Sequence, residues 1–94
     1  MLQLTESAAT TLADTRSEIG VPDHFGLRVF RGVSDGKAVF AFDFVEEPED
    51  GDEVGEVEET RYFVAAEVAA PLADAVLDTE STGEGSQLTL RRKE

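Results

Sequence analysis

A single histidine, His24, and a run of carboxylates from Glu46 to Glu59 are the side chains in this 94-residue sequence best equipped for chemistry. Cysteine is absent, which removes disulfides, thiolate nucleophiles and thiolate metal ligands from consideration. His24 has no thiol to activate, and no serine stands in a recognisable nucleophile context. A Ser–His–Asp relay would have to be drawn from scattered loop residues, so a solvated or locally bonded histidine is expected. In the acidic run, Asp52, Glu53, Glu56 and Glu59 offer the oxygen ligands that a hard divalent cation takes. Their spacing lacks the central glycine and terminal bidentate glutamate of a calcium loop, so a solvated charged face is favoured over a cation site. Gly32 and Gly36 do not make a phosphate loop, because no helix with a Lys-Ser/Thr opening follows them. The residues therefore nominate no catalytic, cofactor-binding or metal-ligating position.

The charge balance narrows the partners. Twenty-one acidic residues against eight basic ones leave a formal net charge of -13, which repels phosphate backbones and anionic membranes. Nucleic acid and membrane are accordingly not expected. Arg91, Arg92 and Lys93 form the one basic cluster, and Lys37 and Lys93 are the only lysines. Such a surface suits a very soluble protein, or one working at high salt where self-repulsion is screened. The opening Met1-Leu-Gln-Leu-Thr-Glu has neither a basic region nor an apolar stretch, and the expectation is a cytoplasmic protein. Length and 40% hydrophobic content fit one domain with one core, spanning residues 1–94.

The elements that must position these groups follow from periodicity. Leu2 and Leu4 alternate as a brief strand. Thr5 can cap a helix, with Glu6 at its positive end. From Ser7 to Ile19 the stripe Ala8, Leu12 and Ile19, widened by Ala9 and Ala13, predicts a helix ended by Gly20 and Pro22. A strand begins near Gly26, and Ser34-Asp35-Gly36-Lys37 is a tight hairpin turn. Phe40, Phe42 and Phe44 then share one face of a strand and are expected to form the heart of the core. Nine of the fourteen residues from Glu46 to Glu59 are acidic, which predicts a loop over about 46–60 or an exposed edge. Arg61 to Val64 reads as a strand. Ala65 to Leu77 has helical composition but carries Pro71 in its middle. Asp78 to Gly85 reads as a polar turn region, and Gln87 to Arg91 as a last strand.

In this order the segments resemble the HesB/IscA-like, or A-type, iron–sulfur biogenesis family along nearly the whole chain. The carriers of the likeness are "LQLTESAATTLADT", "FGLRVFRG" from Phe25 to Gly32, and "FDFVEEPEDGDEV" from Phe42 to Val54. Arg61 to Thr79 and Ser86 to Leu90 occupy the places of the family's last segments. The resemblance implies an α+β fold, a compact β-rich domain with an N-terminal helix and a short second helix over small mixed or antiparallel sheets. It also implies a strand to Val64, a short helix near Glu67 to Leu72, and a strand through Ala75 to Thr79. Family members that carry clusters use a cysteine in the loop between the GLR and FVEEP strands and a C-terminal Cys-x-Cys pair. Here Val33 stands where the first is expected, and the sequence ends at Glu94, where the tail would begin.

With those ligands missing, the expected function is non-enzymatic: a cysteine-free relative of the A-type carriers acting through protein contacts, linked to iron–sulfur assembly. No cofactor is expected. The partner is a protein, and a homodimer is plausible because small β-rich domains cover an edge strand by pairing. The alternative is an acidic, cation-binding or salt-adapted small domain with no iron–sulfur role.

Overall fold

The computed structural model describes residues 1–83 and 85–92. Lys93, counted above in the basic cluster, lies outside the described residues. The chain forms β1 (Gln3–Leu4), α1 (Glu6–Glu18), β2 (Gly26–Ser34), β3 (Lys37–Val45), β4 (Glu53–Val57), β5 (Thr60–Val64), α2 (Ala66–Ala69), β6 (Ala75–Thr82) and β7 (Gly85–Arg92). These strands make two sheets, one in the order β1-β6-β7 and one in the order β3-β2-β5-β4. Both are mixed: β1 runs parallel to β6 and β2 parallel to β5, while the remaining pairs are antiparallel. This is the α+β architecture with two helices that the resemblance implies.

Helix α1 starts as its sequence dictates. Thr5 is the N-cap, its hydroxyl accepting from the Ala8 amide at 3.1 Å and donating to Asp78 Oδ1 at 2.8 Å. One side chain thus caps the helix and ties it to β6 across the whole chain. Ala8, Ala9, Leu12 and Arg16 are its buried residues. Ile19, expected on the buried stripe, is 62% exposed. The stripe runs at a spacing of four, so Arg16 takes the last core-side place and Ile19 falls beyond the helix end. Arg16 Nη1 donates to the Phe25 carbonyl at 2.9 Å, anchoring the helix to the entry of β2.

The core gathers residues from both sheets and both helices, among them Leu2, Leu12, Val29, Val64, Leu72 and Leu77. Tyr62 joins it, and its hydroxyl donates to the Leu2 carbonyl at 2.9 Å. Burial raises its phenol above the usual range, with the Glu53 charge adding to the effect. Gly55 on β4 makes this placement possible, because a Cβ there would lie 2.4 Å from the Tyr62 ring.

Three expectations are corrected. The acidic segment, expected as a loop over about 46–60 or an exposed edge, is a loop as far as Asp52 and an exposed edge strand over Glu53–Val57, so only the full-length loop is corrected, and Thr60 is buried at the start of β5. Asp78 to Thr82, read as a turn region, continues β6 because it pairs residue for residue with β7. Above all, Phe40 and Phe42 are not the heart of the core. They lie on its side of the sheet, in register with Arg31 and Val29, but β3 is the outermost strand and overhangs the elements that cover the core. Phe40 is 40% and Phe42 44% exposed, and only Phe44 packs against the core cluster.

Both hairpins of the larger sheet close through two-residue turns with left-handed backbone. Asp35 and Gly36 have φ of 52° and 77°, the pair expected from their sequence. Glu58 and Glu59 adopt the same shape with φ of 51° and 65°, although side chains disfavour it and the two acids are adjacent. Replacing Glu58 by asparagine and Glu59 by glycine should therefore raise stability by about 1 kcal/mol, or ~4–8 °C in Tm for a domain this size. Thermal unfolding followed by circular dichroism checks this.

Candidate functional site

Where β3 overhangs, the two sheets gape. Phe40 and Phe42 face Leu77, Leu88 and Leu90 across a cleft of about 450 Å³. A second hollow of about 460 Å³ continues past Phe40 to Pro71 and Leu72, with Asp74, Arg91 and Arg92 at its mouth. A third, of about 320 Å³, lies beyond Phe40 between Arg31, Val39 and Glu67. Phe40 lines all three. On a chain of net charge -13, this surface is apolar at its floor and carries both signs at its rim. Its makeup suits the burial of another apolar surface; it contains no nucleophile paired with a base. Arg91 is partly committed elsewhere, its Nη2 lying 3.1 Å from Asp78 Oδ2. Hydrogen bonds from the Thr79 amide first, then from Thr5 and Arg91, hold the Asp78 carboxyl below its usual range.

The acidic residues weighed as cation ligands do not converge. Asp52 instead forms a two-pronged pair with Arg28, Nε to Oδ2 at 2.9 Å and Nη2 to Oδ1 at 3.1 Å. The Glu49 amide donates to the same carboxylate at 2.9 Å, and Glu49 Oε2 lies 3.4 Å from Arg28 Nη1. The Asp52 side chain is 1% exposed. The Arg28 hydrogen bonds hold its carboxyl below the usual range against the opposing effect of burial, and Arg28 is raised by the same contact. This pair folds the start of the acidic segment back onto β2, and the Arg28 guanidinium sits 5.5 Å from the Phe30 ring centre. Glu53 and Glu56 stand on β4, and Glu59 is in its turn. Among the described residues no group of three or more histidine, aspartate or glutamate side chains is placed to hold a metal ion.

His24 is largely solvated, its side chain 60% exposed and beyond hydrogen-bonding distance of the nearest carboxylate. Its Nε2 lies 3.6 Å from Glu46 Oε2, its ring meets Phe25 edge-on at 4.9 Å, and its carbonyl accepts from Arg61 Nη2. The β2–β3 turn presents Ser34, Asp35, Gly36 and Lys37, with Val33 beside it 75% exposed. No helix among the described residues is long and apolar enough to cross a membrane. Sequence reasoning missed the Arg28–Asp52 pair and the exposure of Phe40 and Phe42. The first joins residues 24 positions apart. The second depends on which strand lies at the sheet edge, which strand alternation does not encode.

No protein-family model matches the sequence, and no curated protein matches it. Solved structures do. The chain is similar to IscA with a [2Fe-2S] cluster, with a TM-score of 0.82 and 21% identity over 98% of this chain and 85% of that one. It is similar to Escherichia coli SufA, involved in biosynthesis of iron–sulfur clusters, at a TM-score of 0.76 and 20% identity, covering 97% and 79%. A protein from Aquifex aeolicus solved by solution NMR has a TM-score of 0.71 at 20% identity, covering 97% and 90%. Iron–sulfur clusters are held by soft thiolate donors, with histidine as the occasional substitute. With no cysteine and one histidine, the donors in this sequence do not fit such a cluster. What this chain shares with those structures is the scaffold: its fold is that of the A-type iron–sulfur biogenesis proteins.

Proposed function

We propose that residues 1–94 form a single HesB/IscA-like domain that works without enzymatic chemistry, as a cysteine-free relative of the A-type carriers. It acts through contacts with other proteins, in the cytoplasm and in connection with iron–sulfur assembly. The observation that carries this reading is a retained scaffold whose hairpin turn, Ser34-Asp35-Gly36-Lys37, offers no thiol, beside an exposed apolar cleft centred on Phe40. The apolar floor supplies surface to bury against a protein. The net charge of -13 steers partners with basic surfaces and repels nucleic acid and anionic membrane. Cation binding by the acidic segment is not favoured, because Asp52 is already committed to Arg28 and Glu53, Glu56 and Glu59 are spread along an edge strand and its turn.

Anaerobic reconstitution with iron and sulfide tests the reading. After desalting, the protein should show no cluster absorbance and no stoichiometric iron or sulfide. A stable cluster in defined stoichiometry would overturn the cluster-independent role.

A further inference from the structure

We propose that the hollow between the C-terminal half of α1 and the β4–β5 turn is a docking site for a basic, extended peptide segment of a partner protein. This rests on the reading of the chain as a protein-contact domain and supplies the chemistry of one such partner.

The hollow has a volume of about 460 Å³. Asp14 and Arg16 of α1, Asp23 of the α1–β2 connector, and Glu58 and Glu59 of the β4–β5 turn wall it, with Thr60 beneath them. The four carboxylates are exposed. Among the described residues none of them enters an ion pair or a side-chain hydrogen bond. Asp52 and Asp78, by contrast, are already held by Arg28 and Arg91.

Arg16 gives the hollow a second requirement. The residue is 8% exposed, and its guanidinium makes one hydrogen bond, from Nη1 to the Phe25 carbonyl. Its Nε is buried without a partner, and among the described residues no carboxylate comes within ion-pair distance of the group. A guanidinium carries five N–H donors. Covering it without acceptors or a counter-charge is unfavourable, and an incoming oxygen would relieve that. The wall of the hollow therefore holds a covered donor lacking an acceptor, while its rim holds four carboxylates lacking cations.

Together these requirements select the ligand. A single metal ion does not fit, since among the described residues no three histidine, aspartate or glutamate side chains converge to hold one. A phosphate-bearing ligand meets the four carboxylates and is repelled. A polyamine satisfies the rim but brings no acceptor to Arg16. A peptide with spaced lysines or arginines does both: a backbone carbonyl accepts from Arg16 while separate side-chain cations reach separate carboxylates. The net charge of -13 steers such a segment inward. The turn is consistent with this use. Glu58 and Glu59 stand at φ of 51° and 65°, where asparagine and glycine would be more stable, so both acids are kept against the local backbone preference.

Isothermal titration calorimetry on the full chain at about 0.1 M sodium chloride compares two ligands. One is a peptide of four lysines separated by single glycines, blocked at both ends. The other is spermine, with the same four charges and no acceptor. The peptide should bind one to one, at least about tenfold more tightly than spermine, and weaken toward about 1 M salt. Arg16→Met should bring the two ligands within about twofold of each other, a ratio that a general loss of stability would not change. Asp14→Asn with Asp23→Asn should weaken the peptide by roughly fivefold or more, whereas Glu53→Gln with Glu56→Gln, the same charge change on the β4 edge, should alter it less than about twofold. Glu58→Asn with Glu59→Gly should also weaken it several-fold while raising Tm, so that loss of binding accompanies a gain in stability.

Absence of saturable peptide binding would overturn the proposal. So would spermine binding as tightly as the peptide, or a preference for the peptide that survives Arg16→Met. Equal losses from the two carboxylate pairs would also overturn it, since they would show only diffuse attraction to an acidic chain. None of these results bears on cluster loading, which separately decides the protein-contact reading.

Discussion

Replacing Asp52 by asparagine should lower the unfolding free energy by about 3 kcal/mol near neutral pH, because it leaves Arg28 charged and largely buried without its counter-charge, facing one amide oxygen in place of a two-pronged carboxylate. The figure sits at the low end for broken buried pairs, since the Arg28 side chain is 14% exposed and Glu49 remains beside it. The pH dependence gives a second readout. The Asp52 carboxyl is held below its ordinary value in the fold. Its contribution is therefore fully present above the unfolded value of about 4 and is lost as pH falls through the lower folded value. Arg28, shifted upward, stays ionised through that window. The parent protein should lose stability on acidification below about pH 4, and Asp52→Asn should lose distinctly less over the same range. Urea titrations at several pH values measure both effects. Equal acid sensitivity in the two proteins would mean that other carboxylates dominate.

Phe63→Ala should cost about 3–5 kcal/mol, a large share of the ~5–15 kcal/mol that holds a domain folded. Phe63 is fully buried, yet it lies on the side of the larger sheet away from the main core, in register with Arg28 and Val54. Its cover is local. The Arg61 guanidinium stands 5.6 Å from the ring centre, and Gly26 lies so close that a Cβ would come within 2.8 Å of the ring. Removing the ring empties a site that a rigid sheet and a glycine cannot refill. Phe42→Ala, measured at concentrations where the chain is monomeric, should cost about 1 kcal/mol or less, because its ring is already partly in water. The two phenylalanines have similar strand contexts in the sequence. If both variants lost the same stability, the placement of Phe42 on an overhanging edge would be wrong.

That contrast shows where the sequence runs out. Alternation correctly placed Phe40, Phe42 and Phe44 on one face, since strand geometry alone sends every second side chain to the same side. It could not say whether that face was covered, because coverage depends on where β3 lies in the order β3-β2-β5-β4. The Thr5 cap, the Asp35-Gly36 turn and the break at Pro71 were legible because each is decided within a few residues. The Arg28–Asp52 pair was not, and Asp52 read as a cation ligand until the fold gave it a guanidinium. The Glu58-Glu59 turn was hidden for the opposite reason: its residues argue against the shape that strand pairing imposes on them.

For function the division is similar. The absence of cysteine, the charge of -13 and the likeness of "FGLRVFRG" and "FDFVEEP" to the A-type proteins are properties of the chain as written, and they bound its chemistry before any folding. Composition determines which donors exist, and no tertiary arrangement can supply a thiolate. Only the tertiary structure decided that the phenylalanines meant for a core stand at an open cleft. It alone brought Arg31, Arg91 and Arg92 to the rim of that cleft. Burial is set by which strand comes last in a sheet, a question of long-range pairing that local pattern leaves open.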